Sequence, residues 1–585
     1  MVLVTTALKE TFPEKNITPV LFLGEWCKIY SQKAHWSQYK SNTLDYHWDQ
    51  QDEALKGISY TNEIYEKYLS ILSKQLNKIH NKNYSDRYWR ILIGYWLRQF
   101  VDIVYDRHLI LERAFSEYKI DKTYVLDFES YSATPLDMND FNAIKSGDEW
   151  NHFIYTQLIA NRCELVKISK EKHKIERVKE NSGFYKSIVK KISMWLNRFN
   201  KIAFYISYLG EGLCARLQLS LGQLPALDYI EKFTLSSEYD DGLRGKIVFP
   251  YDESKGFEST LQQLIRVQMP MSYLESYRKL VELTRGRFAK RTQLIAVTPS
   301  SIAFHDDFKV WAANQVENGA KLVSIQHGGL YGTGVMNSLE QHEIDISDKF
   351  FSWGWTQNNC DIVQPIPAIK LLSKIDYNAT GDILLPALDT PRYTSFLSLS
   401  EATSTQILDY IGDQVRFLSL LSKEVKVHVK YRMATVENTT GWHLADRLRD
   451  AGSGEQIDEA KKLQKKFTKR LSECRLCIAT YNATTFLETF SGNFPTLLFW
   501  NQEHVLLNSQ AKPFYEKLHR AGILHYSPES LAQKVEAIYQ DPMKWWSTDS
   551  VQKAKDTFCH QFAKIGQDPI AKWRNEVKDI IEAKH

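Results

Sequence analysis

Residues 321–334 read KLVSIQHGGLYGTG: an apolar run that turns abruptly into a histidine and a cluster of glycines. A short apolar run bounded by turn residues reads as a buried strand. Gly328, Gly329, Gly332 and Gly334 then follow within seven positions, with His327 at the strand tip. Glycine permits positive φ and close backbone approach, so such a loop can fold tightly around a ligand and offer its N–H groups to phosphate. The spacing is neither a Walker loop, which ends in Gly-Lys-Ser/Thr, nor G-x-G-x-x-G. The plainer alternative is a structural turn with a capping His.

Outward from this stretch the same pattern repeats. Candidate strands are PVLFLG (19–24), QLIAVTPS (293–300), KFFSWGW (349–355), GDILLPALD (381–389), VKVHVKYR (425–432), CRLCIATYN (474–482), TLLFWN (496–501) and GILHYS (522–527). Helix-length segments separate most of them, which is the signature of parallel α/β layers. From about 61 to 108 the spacing is helical, with an N-cap at Ser85 or Asp86. In open parallel sheets ligands sit at the carboxyl ends of strands, so the loops after the strands hold the candidate chemistry.

Composition narrows the function classes. Hydrophobic residues at 43% and charged ones at 25% exclude a fibre or a largely disordered chain. With Lys+Arg 74 against Asp+Glu 70, the net charge of +4 gives no global field for nucleic acid. The aromatic fraction, 13%, calls for ring-rich cores or flat platforms for sugars. No apolar run reaches the roughly 18 residues of a membrane span, and the N-terminus lacks signal-peptide features, so a cytoplasmic location is expected. The seven Cys are scattered, and Cys474 and Cys477 fall within an apolar strand, so neither disulfides nor a metal is expected. The Lys-rich stretch at 166–201 reads as a solvated helix, or as a peripheral contact with anionic lipid at the inner face of the cytoplasmic membrane.

Three further groups are candidates. In ATYNATTFLE (479–488) a strand ends in small hydroxylated residues, so Thr484 and Thr485 fall in the first turn of a helix that also carries Glu488. Unpaired N–H groups and the helix dipole there favour an anion; ordinary N-capping by Asn482 or Thr484 is the alternative. The strand end at 427–432 carries His428, Lys430 and Arg432, cations suited to a nucleotide phosphate or a substrate carboxylate, with a solvated edge strand as the alternative. Glu25, at the turn after the first strand, is a candidate acid or base.

Several blocks resemble a family of transferases encoded in bacterial O-antigen and surface-polysaccharide clusters: LVTTALKETFP (3–13), LFLGEWCKIYS (21–31), RYWRILIGYWL (87–97), SIQHGGLYGTG (324–334), DKFFSWGW (348–355) and ATYNATTFLETFSGNFPTLLFWNQEH (479–504). More widely the chain is similar to GT-B glycosyltransferases that use CMP-activated sugars in capsule and nonulosonic-acid transfer. The resemblance implies two Rossmann-like domains facing a cleft. These are an N-terminal acceptor-side domain over 1–345 enlarged by helical insertions and a nucleotide-sugar donor domain over 346–560, with a helix over 561–585 that packs back on the first. It implies metal-independent transfer, with no cofactor, of an acidic sugar such as pseudaminic acid or a Kdo-like sugar from its CMP donor. The acceptor would be a glycan or lipid-linked glycan. His327 and Glu25 would be catalytic, and Gly328, Gly329, Lys430, Arg432, Asn482, Thr484, Thr485 and Glu488 would bind the donor. A transferase of CDP-linked polyol phosphate and a non-catalytic nucleotide-sugar-binding scaffold remain open alternatives.

Overall fold

The computed structural model describes residues 1–583 apart from 15–18, 130, 161, 169–171, 176, 178–195, 197–198, 206–210, 227–236, 250–255, 289–291, 359, 372–374, 395–401, 403, 434–440, 459–461 and 463. Most of the Lys-rich stretch therefore lies outside the described residues.

The expected α/β, Rossmann-type, GT-B-like architecture is present, and it is built as three parallel five-stranded sheets. The first holds β1 (Val2–Val4), β2 (Val20–Phe22), β3 (Ser41–Thr43), β4 (Lys122–Val125) and β5 (Glu164–Lys167), in the order β3-β2-β1-β4-β5. The second holds β6 (Ile202–Tyr205), β7 (Leu294–Val297), β8 (Lys321–Ile325), β9 (Lys349–Ser352) and β10 (Val363–Pro365), running in one direction from β6 to β10. The third holds β11 (Asp382–Pro386), β12 (Val429–Arg432), β13 (Cys474–Ala479), β14 (Thr496–Phe499) and β15 (Leu524–His525), in the order β12-β11-β13-β14-β15.

The enlarged first half thus conceals a whole extra sheet. Its strands are only three or four residues long, and Ser41–Thr43 is too polar to read as a strand. One expected strand is shorter than its apolar pattern. The Ser422 hydroxyl accepts the Val425 N–H at 3.3 Å and caps a helical turn over Lys423–Lys426, so β12 begins only at Val429. The Cys474 and Cys477 thiols are buried in β13, and burial pushes Cys474 up to about 12.

Six helices position the sites described below. Helix α1 (Gln51–His80) packs on α2 (Tyr95–Glu117). Before α2 the chain makes a helical turn capped by Ser85, then a π-helical turn over Arg90–Gly94. That turn brings Gly94 against α1, where an added Cβ would lie 2.9 Å from the Tyr65 hydroxyl. Helix α3 (Ser338–Ile346) follows the glycine-rich loop, and α4 (Thr484–Ser491) follows β13. Helix α5 (Asp549–Phe562) packs on α4, and α6 (Pro569–Glu582) seals the second sheet. Trp573 of α6 packs edge-on against Phe351 and donates its indole N–H to Pro367. Tyr331, Phe350 and Trp355 share one core with Phe486, Tyr515 and Phe558, so the second and third sheets are joined by buried aromatic rings. No helix among the described residues is long and apolar enough to cross a membrane.

Candidate functional site

The loop after β8 is held rigid by its first residue. The Gln326 side-chain oxygen accepts the N–H of Trp353 and the indole N–H of Trp355, both at 2.8 Å, while its amide nitrogen donates to the Gly328 carbonyl at 2.7 Å. Gly332 adopts φ +70°, and an added Cβ would lie 2.4 Å from the Trp355 ring, so glycine is required on both counts. Helix α3 braces the loop from behind. Glu340 accepts the Gly332 N–H at 2.8 Å and Glu343 accepts the Tyr331 hydroxyl at 2.5 Å. Burial raises Glu340 to about 8 and Glu343 well above the usual carboxylate range, so both favour the neutral form. The third unit clamps the opposite side: the Asn508 side chain donates to the carbonyls of Gly332 and Gly334.

The second candidate group meets this loop directly. Helix α4 starts after Ala483, which offers no side-chain cap. Neither expected capping residue is used that way. Asn482 donates to Thr333 and accepts the Tyr515 hydroxyl, while the Thr484 hydroxyl accepts the Gly329 N–H at 3.0 Å. A Cβ on Gly329 would stand 2.5 Å from the Ala483 carbonyl carbon, so this approach is open to glycine alone. Thr485 lies in the same first turn, its hydroxyl 3.1 Å from that of Tyr481. A glycine loop and an uncapped helix start are therefore packed together, which concentrates backbone N–H dipoles at one place.

His327 sits at this junction with Tyr331 edge-on at 5.3 Å. Burial, reinforced by the nearby Lys370 ammonium, lowers its pKa to about 4, so the ring is neutral near pH 7. Lys370 donates to the His327 carbonyl at 3.1 Å. It also interacts electrostatically with Glu488 of α4, whose carboxyl is raised chiefly by burial. A neutral imidazole, a cation and a helix N-terminus thus adjoin one another, a combination fit to bind an anionic group and move a proton beside it.

A family model described as LIC12162 family transferase matches residues 1–577. The chain belongs to the LIC12162 transferase family. No curated protein matches it. For a LIC12162 transferase, the junction brings together His327, Gly328, Gly329, Asn482, Thr484, Thr485 and Glu488 of the residues expected from the sequence.

Three expected residues stand elsewhere in this LIC12162 family member. Glu25 pairs with Lys28 at 2.6 Å on the rim of the first sheet. Lys430 donates to the Glu455 carbonyl, and Arg432 to the carbonyls of Lys462 and Lys465, all on the edge strand β12, which β11 separates from β13. His428 lies at the opposite, N-terminal end of that strand, its ring beside Tyr539. Lys370, Glu340, Glu343 and Asn508 were invisible to motif reading. Each is a single polar residue in unremarkable sequence, and only the packing of α3, of the turn Ile369–Leu371 and of the 508 loop brings it to the glycines. Among the described residues, no group of three His, Cys, Asp or Glu is arranged to hold a metal ion.

Proposed function

We propose that this transferase is a glycosyltransferase that moves an acidic sugar of the nonulosonic type, such as pseudaminic acid or a Kdo-like sugar, from a CMP donor. The acceptor is a surface-polysaccharide or O-antigen precursor, glycan or lipid-linked, met on the cytoplasmic side with peripheral contact at the membrane. The observation that carries this reading is the Gly329–Thr484 contact, which merges a glycine loop and a helix start into one anion site. The donor phosphate lies against the first turn of α4 and the N–H of Gly328, while Gly329, tied to the Thr484 hydroxyl, holds the loop on the helix. As the glycosidic bond breaks, negative charge develops on the departing CMP, and fixed N–H dipoles stabilise it without reorganising. Lys370 supports the same charge. His327, neutral near pH 7, takes the proton of the attacking acceptor hydroxyl. Glu25 is the acceptor-side carboxylate of the first sheet, and Lys430 and Arg432 line the outer part of the donor domain.

The test is a donor panel: purified protein with CMP-, UDP- and GDP-sugars and a CDP-polyol, each with glycan acceptors, followed by nucleotide release. Release of CMP from a CMP-nonulosonate supports the proposal. Turnover only with the CDP-polyol would move the assignment to polyol-phosphate transfer, and no turnover with any donor would overturn the enzymatic reading.

A further inference from the structure

Helix α3 has a second working face. Glu340 and Glu343 hold the glycine loop; on the other side Ser338, Gln341, His342 and Asp345 face a cavity of about 270 Å3 that opens to solvent. Its far wall is formed by Asn62, Tyr65 and Glu66 of α1 and Arg98 of α2, next to the π-helical turn. That lies just below the pockets that take drug-sized molecules, which leaves room for one small ligand.

The charges of the wall are already balanced internally. Arg98 binds Asp102 through two nitrogens, at 3.0 and 3.3 Å, and Arg90 forms a two-pronged pair with Glu66 at 2.6 and 2.7 Å. Asp345 lies 3.6 Å from Arg90. An anion entering the cavity would meet Glu66 and Asp345, and a cation would meet Arg90 and Arg98, so neither gains from the site as a whole. What the wall offers instead is a mixture of neutral donors and acceptors beside the Tyr65 ring and Met336. His342 is 3% exposed, and both ring nitrogens lack a hydrogen-bond partner among the described residues. A buried imidazole without partners is costly to maintain unless a ligand or solvent satisfies it. Burial with nearby Arg90 and Lys309 lowers its pKa to about 3, so it presents one N–H donor and one acceptor at neutral pH.

We infer that this cavity is a second carbohydrate subsite, taking an uncharged sugar unit whose hydroxyls pair with Asp345, Gln341 and His342. The inference rests on the glycosyltransferase reading for its role. The glycine loop and the cavity lie on opposite faces of one helix, whose diameter with side chains is about 10–12 Å. The sugar held here is accordingly a unit of the acceptor glycan remote from the reacting hydroxyl.

Saturation-transfer NMR with methyl glycosides of hexoses, 6-deoxyhexoses and N-acetylhexosamines tests this in the absence of donor. Transfer to at least one glycoside is expected, reduced at least about fivefold by Asp345→Asn and by His342→Phe, the loss of one net hydrogen bond of roughly 1 kcal/mol. CMP binding measured on the same samples should be unchanged. His342→Phe removes a buried polar ring and is checked by circular dichroism; if it does not fold, Asp345→Asn, on the partly exposed face, decides alone. No transfer to any glycoside, or transfer that Asp345→Asn leaves intact, overturns the inference. Failure of CMP to bind while glycosides bind would overturn the donor assignment and leave this subsite standing.

Discussion

Gly329 and Gly328 are neighbours with opposite tolerances. A Cβ on Gly329 would be 2.5 Å from the Ala483 carbonyl carbon, whereas one on Gly328 would be 3.4 Å from the Thr484 hydroxyl, an ordinary contact. Gly329→Ala therefore pushes the loop off α4, with an overpacking cost of about 1–3 kcal/mol, and donor affinity falls at least about tenfold, as titration would measure. Gly328→Ala leaves affinity nearly unchanged. His327 gives a second prediction at this scale. With its pKa near 4, the profile of kcat/KM against pH should lack a limb near 6.5, the ordinary histidine value. A limb at about 6.5 that His327→Asn removes would show a solvated ring and contradict the buried geometry. The sequence made His327, Gly329 and Thr484 legible because strand tips, glycine clusters and helix starts leave local patterns. Lys370 was not legible, since one lysine after a proline-rich turn has no pattern to betray it.

Helix α3 works as a spacer between the glycine loop and the cavity, and its buried carboxyls make that role measurable. Glu340 is raised from an ordinary value of 4.5 to about 8 because it is enclosed behind the loop. The folded state holds this proton more tightly than the unfolded chain does. Its contribution to stability is thus complete below about pH 4.5 and is lost as the pH rises through about 8. Glu340→Gln keeps a neutral acceptor for the Gly332 N–H and removes the titration. The melting temperature of the variant minus that of the native protein should grow between about pH 5 and 8 and level off above, by differential scanning fluorimetry. A difference constant across that range would place an ionised carboxylate behind the loop. Strands such as Leu294–Val297 and Cys474–Ala479 were legible as apolar runs between turn residues. Of the first sheet only Val20–Phe22 was, within PVLFLG (19–24), because the other strands, three or four residues long, leave too little periodicity.

Across the whole molecule, the site depends on how firmly the second and third sheets are held together. Aromatic rings from both units fill one core, which assigns much of the 13% aromatic content to structure. Helix α6 closes the second sheet after the chain has left the third, so Trp573, 1% exposed, ties the end of the chain to the middle unit. Trp573→Ala should remove about 3–5 kcal/mol from that unit, seen as an earlier first unfolding transition, because a chain of this size need not melt in one step. Parallel α/β layering could be read from the alternation of strands and helices, but the number of sheets could not, because sheet membership depends on contacts between distant strands. On the proposed function, the Gly328–Gly329 loop and the start of α4 are one phosphate site for a nucleotide donor. Isothermal titration calorimetry with CMP and with cytidine, on the native protein and on Gly329→Ala, tests it most directly. CMP should bind, and binding should weaken at least about tenfold when the phosphate is missing or when Gly329 carries a methyl group. No CMP binding, or CMP binding no tighter than cytidine and indifferent to Gly329→Ala, would contradict it.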